Sequence, residues 1–347
     1  MIPHSLPTIN SKMIAAVAQS MRAGQVSMGP QVSAFEADFT RKFKIEAAAV
    51  SSGTSALHLA LLALGVGKGD EVILPTYVCT ALLNAVNYTG AKPVLADVEL
   101  EGGNISATDV RKKITRRTKA ILVPHMFGHP ADMKPLLKLG VPVVEDCAQA
   151  IGATYDGRAA GTMGCINIFS FYATKMMTSG EGGMVVSSDR KLMSRVRDML
   201  AYDHKDVYRI RFNYKMTDMQ AALGRVQLQH LNGFIVRRRK IAALYDQRLG
   251  GVGVVLPAKP GVAASAHYRY VVRLNGGVDH AIKAMAKRGV VCAKPLFKPL
   301  HQYLNKKGFP VADQLMQESL SLPIYPLLSD AQARRVADTF KKVMERV

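Results

Sequence analysis

The chain has 347 residues, 48% of them hydrophobic and none of them Trp, which suits one large globular domain with a smaller one beside it and excludes a fibrous or low-complexity protein. Its 46 Lys and Arg against 26 Asp and Glu give a net charge of +20, which raises the question of acidic partners. The basic residues are scattered, as in Arg111 to Lys113, Arg116, Arg117, Arg237 to Lys240, Arg334 and Arg335, with apolar positions between them and no zinc-finger or RNP-like aromatic pattern. Solvated helix faces account for them, and nucleic-acid binding is not expected. No apolar run is long enough to cross a bilayer, and no basic stretch followed by an apolar one opens the chain, so a cytoplasmic protein is expected. Cys79, Cys147, Cys165 and Cys292 have no metal-like spacing and sit in apolar runs, which predicts reduced, buried thiols and no metal site.

In chain order, β-rich runs at 48–51, 71–74, 93–96, 120–124, 141–144, 166–171 and 184–187 alternate with helical stretches. The helix predicted over 54–64 puts Leu57, Leu61 and Leu64 on one face. This rhythm argues for an α/β domain with helices on both faces of a seven-stranded sheet. A long helix is predicted over 217–231, with Met219, Leu223 and Val226 on one face, and a second over 235–249. Pro257 and Pro260 then punctuate a loop. A strand over 268–274, a helix over 281–288, a strand over 290–295 and a closing helix over 330–347 read as a smaller α+β domain. The division expected is 1–235 for the large domain and 236–347 for the small one.

The chemistry concentrates between Asp146 and Gly183. Asp146 ends one apolar run. A later run leads to Ser170 and, five residues on, to Lys175, and Gly180, Gly182 and Gly183 follow. An acid at a strand end and a lysine on a loop after a later strand are what pyridoxal phosphate (PLP) requires. The carboxylate keeps the pyridine nitrogen protonated and the amine bonds the aldehyde carbon. Taken singly, each residue reads equally as a helix cap or a surface charge. Upstream, Ser52, Gly53, Thr54 and Ser55 end a strand and open a helix. From the residues alone this is either a plain N-cap or an anion cup made by free backbone N–H groups.

Six ordered blocks carry a family resemblance. They are Gly29, Phe35, Glu36 and Phe39; SSGTSALHLALLALGVGKGDEVILP (51–75); GAKPVLADVE (90–99); VPHMFGHPADM (123–133); EDCAQAIGA with FSFYATK (145–153 and 169–175); and LSLPIYPLLSD (320–330). Together the chain resembles the DegT/DnrJ/EryC1/StrS family of PLP-dependent sugar aminotransferases, which share the aspartate aminotransferase fold. The resemblance implies a mostly parallel sheet with one antiparallel strand. It implies a PLP site in which Asp146 and Lys175 are catalytic, Gly53, Thr54, Ser55 and Ser170 hold the phosphate, and Gln149 meets the phenolic oxygen. Asn213, in RFNYKMTDMQ, would reach the cofactor of a second subunit, so a homodimer with shared sites is implied. The reaction implied moves an amino group from an amino acid, glutamate by analogy, to a keto sugar, nucleotide-linked in the family. A cyclitol or other ketone, and a PLP-binding regulator, are the alternatives. Three departures stand out. Arg211 replaces a usual glycine, Lys215 stands where arginine is common, and Cys79 falls where the family has its ring-stacking aromatic. Either Tyr77, two residues earlier, supplies the aromatic surface or Cys79 packs against the ring. Glu145 reads as structural. His125 and His129, after a strand, read either as facing the cofactor or as satisfied loop histidines, and His267, Tyr268, Lys298 and His301 lie where substrate contacts could come from but read as structural or surface residues.

Overall fold

Residues with strand-forming, fully apolar sequences form the centre of the molecule. The computed structural model describes residues 1–257 and 261–345; Pro260 and the last two residues of the expected closing helix lie outside them. The strands of the first two-thirds are β1 (Glu46–Val50), β2 (Glu71–Pro75), β3 (Lys92–Ala96), β4 (Thr118–Pro124), β5 (Val143–Asp146), the short hairpin β6 (Thr154–Tyr155) and β7 (Arg158–Ala159), β8 (Ile166–Ser170) and β9 (Gly183–Ser187). Seven of them make one sheet in the order β1-β9-β8-β5-β4-β2-β3. Only β9 runs against its neighbours, and all other pairings are parallel. This is the mostly parallel seven-stranded sheet that the sequence led us to expect.

Both faces of the sheet are covered, and the period of two sorts its side chains between them. Val50, Leu122, Val144, Ile168 and Val185 face one core, with the helix Gly53–Ala63. Ala49, Phe169, Met184 and Val186 face another, where Phe35, Phe39, Phe43, Phe169 and Phe171 pack ring against ring. The Gly29, Phe35, Glu36 and Phe39 block is thereby explained. The phenylalanines are core. Glu36 accepts the Ala49 N–H of edge strand β1 at 2.8 Å and pairs with Arg197 at 3.0 Å. Gly29 lets the helix Pro30–Phe43 begin against Asp218, whose carboxylate accepts from the N–H groups of Gly29, Gln31 and Val32. A Cβ at Gly29 would lie 2.9 Å from Asp218 Oδ2.

Two expected elements differ. The helices predicted over 217–231 and 235–249 are one 32-residue helix, Asp218–Leu249, opened by a capping box of Thr217 and Gln220. Asn232 and Gly233 lie between the two predicted helices. A helical Gly costs only about 1 kcal/mol, and here the helix is anchored on both sides of it. Leu228, Leu231 and Ile235 sit in one core and Ile241, Ala242, Tyr245 and Leu249 in the C-terminal one. The division expected at 235/236 falls inside this helix.

The run 290–295 is not a strand. It makes single bridges, Val290 to Ile2 and Ala293 to Ser321, and Pro295 removes a ladder donor where the run would continue. β10 (Ala263–Ala264) joins the β6 edge, while β11 (Tyr270–Arg273) pairs with β12 (Ser319–Leu322), which comes from the closing LSLP block. Between them the chain returns to the large core through Leu296, Leu300, Phe309, Ala312 and Leu315. Asp97 caps the helix Pro310–Glu318 by accepting from Val311 and Ala312, and His301 links Thr76 to Asp313. Among the described residues no helix is long and apolar enough to cross a membrane.

Candidate active site

At the C-terminal end of β5, Glu145 and Asp146 point in opposite directions, as neighbours in a strand must. Glu145 is completely buried. It accepts from His125 Nε2 at 2.9 Å and from the N–H groups of Gly161, Met163 and Gly164 at 2.9, 2.6 and 2.6 Å. The Ala131 N–H donates to His125 Nδ1 at 3.0 Å, which makes Nε2 the protonated nitrogen. Burial works against ionisation of Glu145, but His125 and the backbone donors hold its pKa below the usual carboxylate value. Cys147 lies beside this pair. Both partners are saturated by protein groups, so the cluster is a structural hub, as the sequence suggested for Glu145.

Asp146 faces the other way, into the cleft at the strand ends. It is 5% exposed and accepts from the Ala148 N–H at 2.9 Å. Burial raises its pKa; Ala148, Lys175 and His125 pull it back only in part. This is a carboxylate with unmet demand for positive charge. Lys175, half-buried, stands 5.4 Å from the centre of the Tyr268 ring. The charges of both Asp146 and Lys175 act on the Cys79 thiol, Asp146 raising its pKa and Lys175 lowering it.

The third wall is the tip of the helix Gly53–Ala63. Ser52 Oγ accepts from Ser55 N at 3.0 Å, and the Ser55 hydroxyl bonds those of Ser51 and Ser52. The Ser52 carbonyl takes the Ala56 N–H. Ser52 and Ser55 are thus occupied as cap, while the Gly53 and Thr54 N–H groups remain the helix's orphan donors. Ser170 is pressed onto this tip: a Cβ at Gly53 would lie 2.8 Å from Ser170 Cβ, and one at Gly183 would lie 2.4 Å from the Ser52 carbonyl oxygen. Gly53 and Gly183 are therefore needed to bring the loop after β1, the end of β8 and the start of β9 together.

The remaining candidates divide. Gln149 accepts the Phe127 N–H at 2.9 Å, pinning a non-glycine residue at φ 59°, which leaves its NH2 end free to donate. Tyr77 is fully buried. It packs against Phe127 and Gly103, with its hydroxyl turned toward Ser319 rather than into the cleft. Cys79 is the one that reaches the cleft. It is exposed, against the expectation of four buried thiols, because it precedes the helix Thr80–Tyr88 at the cleft rim; Cys147 and Cys292 are buried. Asn213 is exposed, next to Tyr214, whose carbonyl accepts the Ser51 N–H at the base of the cup. Lys215 is ion-paired with Asp203, and Arg211 with Asp198. Tyr268 was read as structural, yet it stands beside Lys175, with its hydroxyl 3.3 Å from Thr174 Oγ1.

The family model for the DegT/DnrJ/EryC1/StrS aminotransferase family matches residues 7–341. The chain belongs to this family. It is 34% identical over 356 residues to the GDP-perosamine synthase of Escherichia coli O157:H7, covering 98% of each chain. It is 36% identical over 350 residues to the dTDP-3-amino-3,4,6-trideoxy-alpha-D-glucose transaminase of Streptomyces venezuelae, covering 96% of this chain and 92% of that one. Among solved structures, the Streptococcus pneumoniae protein Spr1654 in its PMP-form superposes with a TM-score of 0.94 at 26% identity, covering 100% of both chains; the same protein is also solved in PLP-form. The protein is thus an aminotransferase, and the family and its solved members imply pyridoxal phosphate as the cofactor.

Two predictions for this aminotransferase arise at the cleft. The first concerns Asp146→Asn. Because the folded-state pKa of Asp146 is raised, its ionisation costs stability above that pKa, and the cost vanishes below the unfolded value near 3.9. At pH 8 the cofactor-free variant should melt no lower than wild type, while turnover falls by about 10²- to 10⁴-fold, the range for a lost positioned acid or base. Scanning calorimetry and a coupled rate assay check both halves. The second concerns Cys79. Although solvent reaches the thiol, surrounding protein raises its pKa, and Asp146 adds to the rise. Iodoacetamide should label it, ahead of Cys147 and Cys292, only as the pH passes the ordinary thiol value of about 8.5. Added PLP should block the labelling, as read by peptide mass spectrometry.

Proposed function

We propose that this protein moves an amino group from glutamate to the carbonyl carbon of a nucleotide-linked keto sugar, using pyridoxal phosphate, as a cytoplasmic homodimer. What supports the reading is that the charge of Lys175 acts on buried Asp146 at the end of β5, and that the helix tip at Gly53 and Thr54, pressed against Ser170, keeps two N–H groups without intrahelical partners. The two orphan N–H groups, with the Thr54 and Ser170 hydroxyls, would hold its phosphate. Asp146 would hold the proton on its pyridine nitrogen, and the NH2 end of Gln149 would donate to its phenolic oxygen. Cys79 would lie against its ring as a small polarisable contact. When bound, the cofactor supplies an electron sink for carbanion chemistry at an amino-bearing carbon.

Lys175 has two tasks. Its amine would hold the cofactor between turnovers. Its Nζ would also take the proton from the amino-bearing carbon of glutamate, and in the second half-reaction would deliver one to the sugar carbon that receives the amino group. Asn213 of one subunit would complete the phosphate cup of the other. Support for the sugar as acceptor comes from the family and from the relatives that act on GDP- and dTDP-linked sugars.

The test is to incubate the PLP-loaded protein with glutamate and a panel of GDP-, dTDP- and UDP-linked keto sugars. The expected result is 2-oxoglutarate and an aminated nucleotide sugar in equal amounts. No 2-oxoglutarate with any acceptor would defeat the reading.

A further inference from the structure

Three basic side chains, Lys175, Arg238 and Arg269, gather around Tyr268. Arg238, 4% exposed, donates through Nη1 to the carbonyls of His267, Tyr268 and Ile324 at 3.3, 3.2 and 2.7 Å, so its charge is fixed in the wall by neutral acceptors. Arg269 sets its guanidinium carbon 4.9 Å from the Tyr268 ring centre, the same ring that lies 5.4 Å from Lys175 Nζ. Its Nη2 donates to the Tyr268 hydroxyl at 3.4 Å, and its Nη1 lies 2.6 Å from His4 Nδ1. His4 is neutral, its pKa lowered to about 3 by burial and by Arg269 itself. Among the described residues neither arginine has a carboxylate partner. The field shows at Tyr268: burial raises its pKa, but Lys175, Arg269, Thr174 and Arg238 together bring it below the ordinary phenol value.

We propose that Arg269 binds the α-carboxylate of the amino donor. The inference rests on the transaminase reading above and adds to it the group that admits an amino acid rather than a simple amine. The donor's nitrogen takes the place of the Lys175 amine, and its α-carboxylate is attached to the very carbon that bears that nitrogen. It therefore arrives close to Lys175, where Arg269 shares a ring with it. The side-chain carboxylate of glutamate lies two methylenes further out. A guanidinium whose present partners are a neutral imidazole and a phenol can turn two N–H groups to a carboxylate. Half-exposed Arg269 can do so; Arg238, locked onto three carbonyls, cannot.

The experiment separates the two half-reactions in the PLP-loaded protein. In Arg269→Gln, the glutamate concentration that half-saturates the first half-reaction should rise about 10- to 100-fold, the loss of one charged hydrogen-bonded pair. The second half-reaction, with the keto sugar, should keep its saturation. Arg269→Lys should recover part of the loss. Binding is read independently by calorimetric titration with 2-methylglutamate, which keeps both carboxylates but lacks the proton removed in the reaction, and should weaken by the same factor. His4→Ala, which frees Arg269 without removing it, should bind glutamate as well as wild type does. Unchanged glutamate saturation in Arg269→Gln overturns the proposal. So does an equal loss in the sugar half-reaction, which would point to a sugar-nucleotide phosphate or to general damage. A glutamate defect in His4→Ala would show that Arg269 merely ties down the start of the chain. A wild-type protein that binds PLP but ignores glutamate would overturn the transaminase reading as well, and is distinct from all three.

Discussion

Lys175→Ala should bind pyridoxal phosphate and yet turn over no substrate. The variant removes the covalent tether and the proton carrier together, so its rate should fall by at least about 10⁴-fold, the upper range for one positioned acid–base group, with the loss of the nucleophile added. Binding should persist because the other holding groups are untouched. The orphan N–H groups of Gly53 and Thr54, the Ser170 hydroxyl and the buried Asp146 lie on separate elements from Lys175. The bound cofactor should absorb as the free aldehyde rather than as the lysine-bound form, and dialysis should release it. The fold should hold, since Lys175 is half-buried and has no ion pair among the described residues. If Lys175→Ala transaminates at a measurable fraction of the wild-type rate, another group moves the proton and the assignment of Lys175 is lost.

The largest stability effect should come from the residue next to the catalytic acid. Glu145→Ala leaves the His125 N–H and three backbone N–H groups without an acceptor inside a fully buried hub. Removing one partner of such a buried, hydrogen-bonded charge costs about 3–5 kcal/mol. Against a typical total of about 5–15 kcal/mol, the variant should be recovered poorly or unfold at much lower denaturant. Glu145→Gln keeps an oxygen acceptor and should be milder. It also carries a pH signature. The folded-state pKa of Glu145 is lowered, so its stabilisation is complete above the unfolded value near 4.3 and is lost as pH falls through the folded one. The acid limb of the stability curve should therefore be shallower in Glu145→Gln than in wild type, as urea titrations across that range would show. Equal slopes would mean that Glu145 is not ionised in the hub.

The central sheet was legible because each strand is a local apolar run with both faces covered, and the run itself marks the strand. Asp146 and Lys175 stood out in the sequence for a related reason, since Asp146 ends one strand and Lys175 lies on the loop after another, at the end of the sheet where open α/β sheets place ligands. What escaped depends on residues far apart in the chain. Tyr268 is read locally as the start of a strand, and nothing near it signals that its ring reaches Lys175. Gly183 looks like a loop glycine until the Ser52 carbonyl is seen against it. The six-residue run at 290–295 has strand-like residues, but strand formation needs a free neighbouring ladder, and only single bridges are available there. Cys79 sits in an apolar stretch and still faces solvent, because the stretch ends at a cleft rim rather than inside a strand. Tyr77 and Cys79 could not be told apart from spacing, since both lie on the same side of an extended segment, and the turn into the helix after Cys79 separates them.

The helix Asp218–Leu249 has a mechanical consequence. It is an uninterrupted rod of about 48 Å at 1.5 Å per residue, with each half driven into a different hydrophobic interior. A hinge in its middle would have to open backbone hydrogen bonds, so any closure of the smaller unit over the cleft must come from sliding at its far surfaces. Arg238 lies on this rod and grips the carbonyls of His267 and Tyr268, so the stiffness is transmitted to the ring beside Lys175. Tyr268 and Lys175 should therefore keep their spacing through turnover, with substrates fitting themselves to a rigid wall.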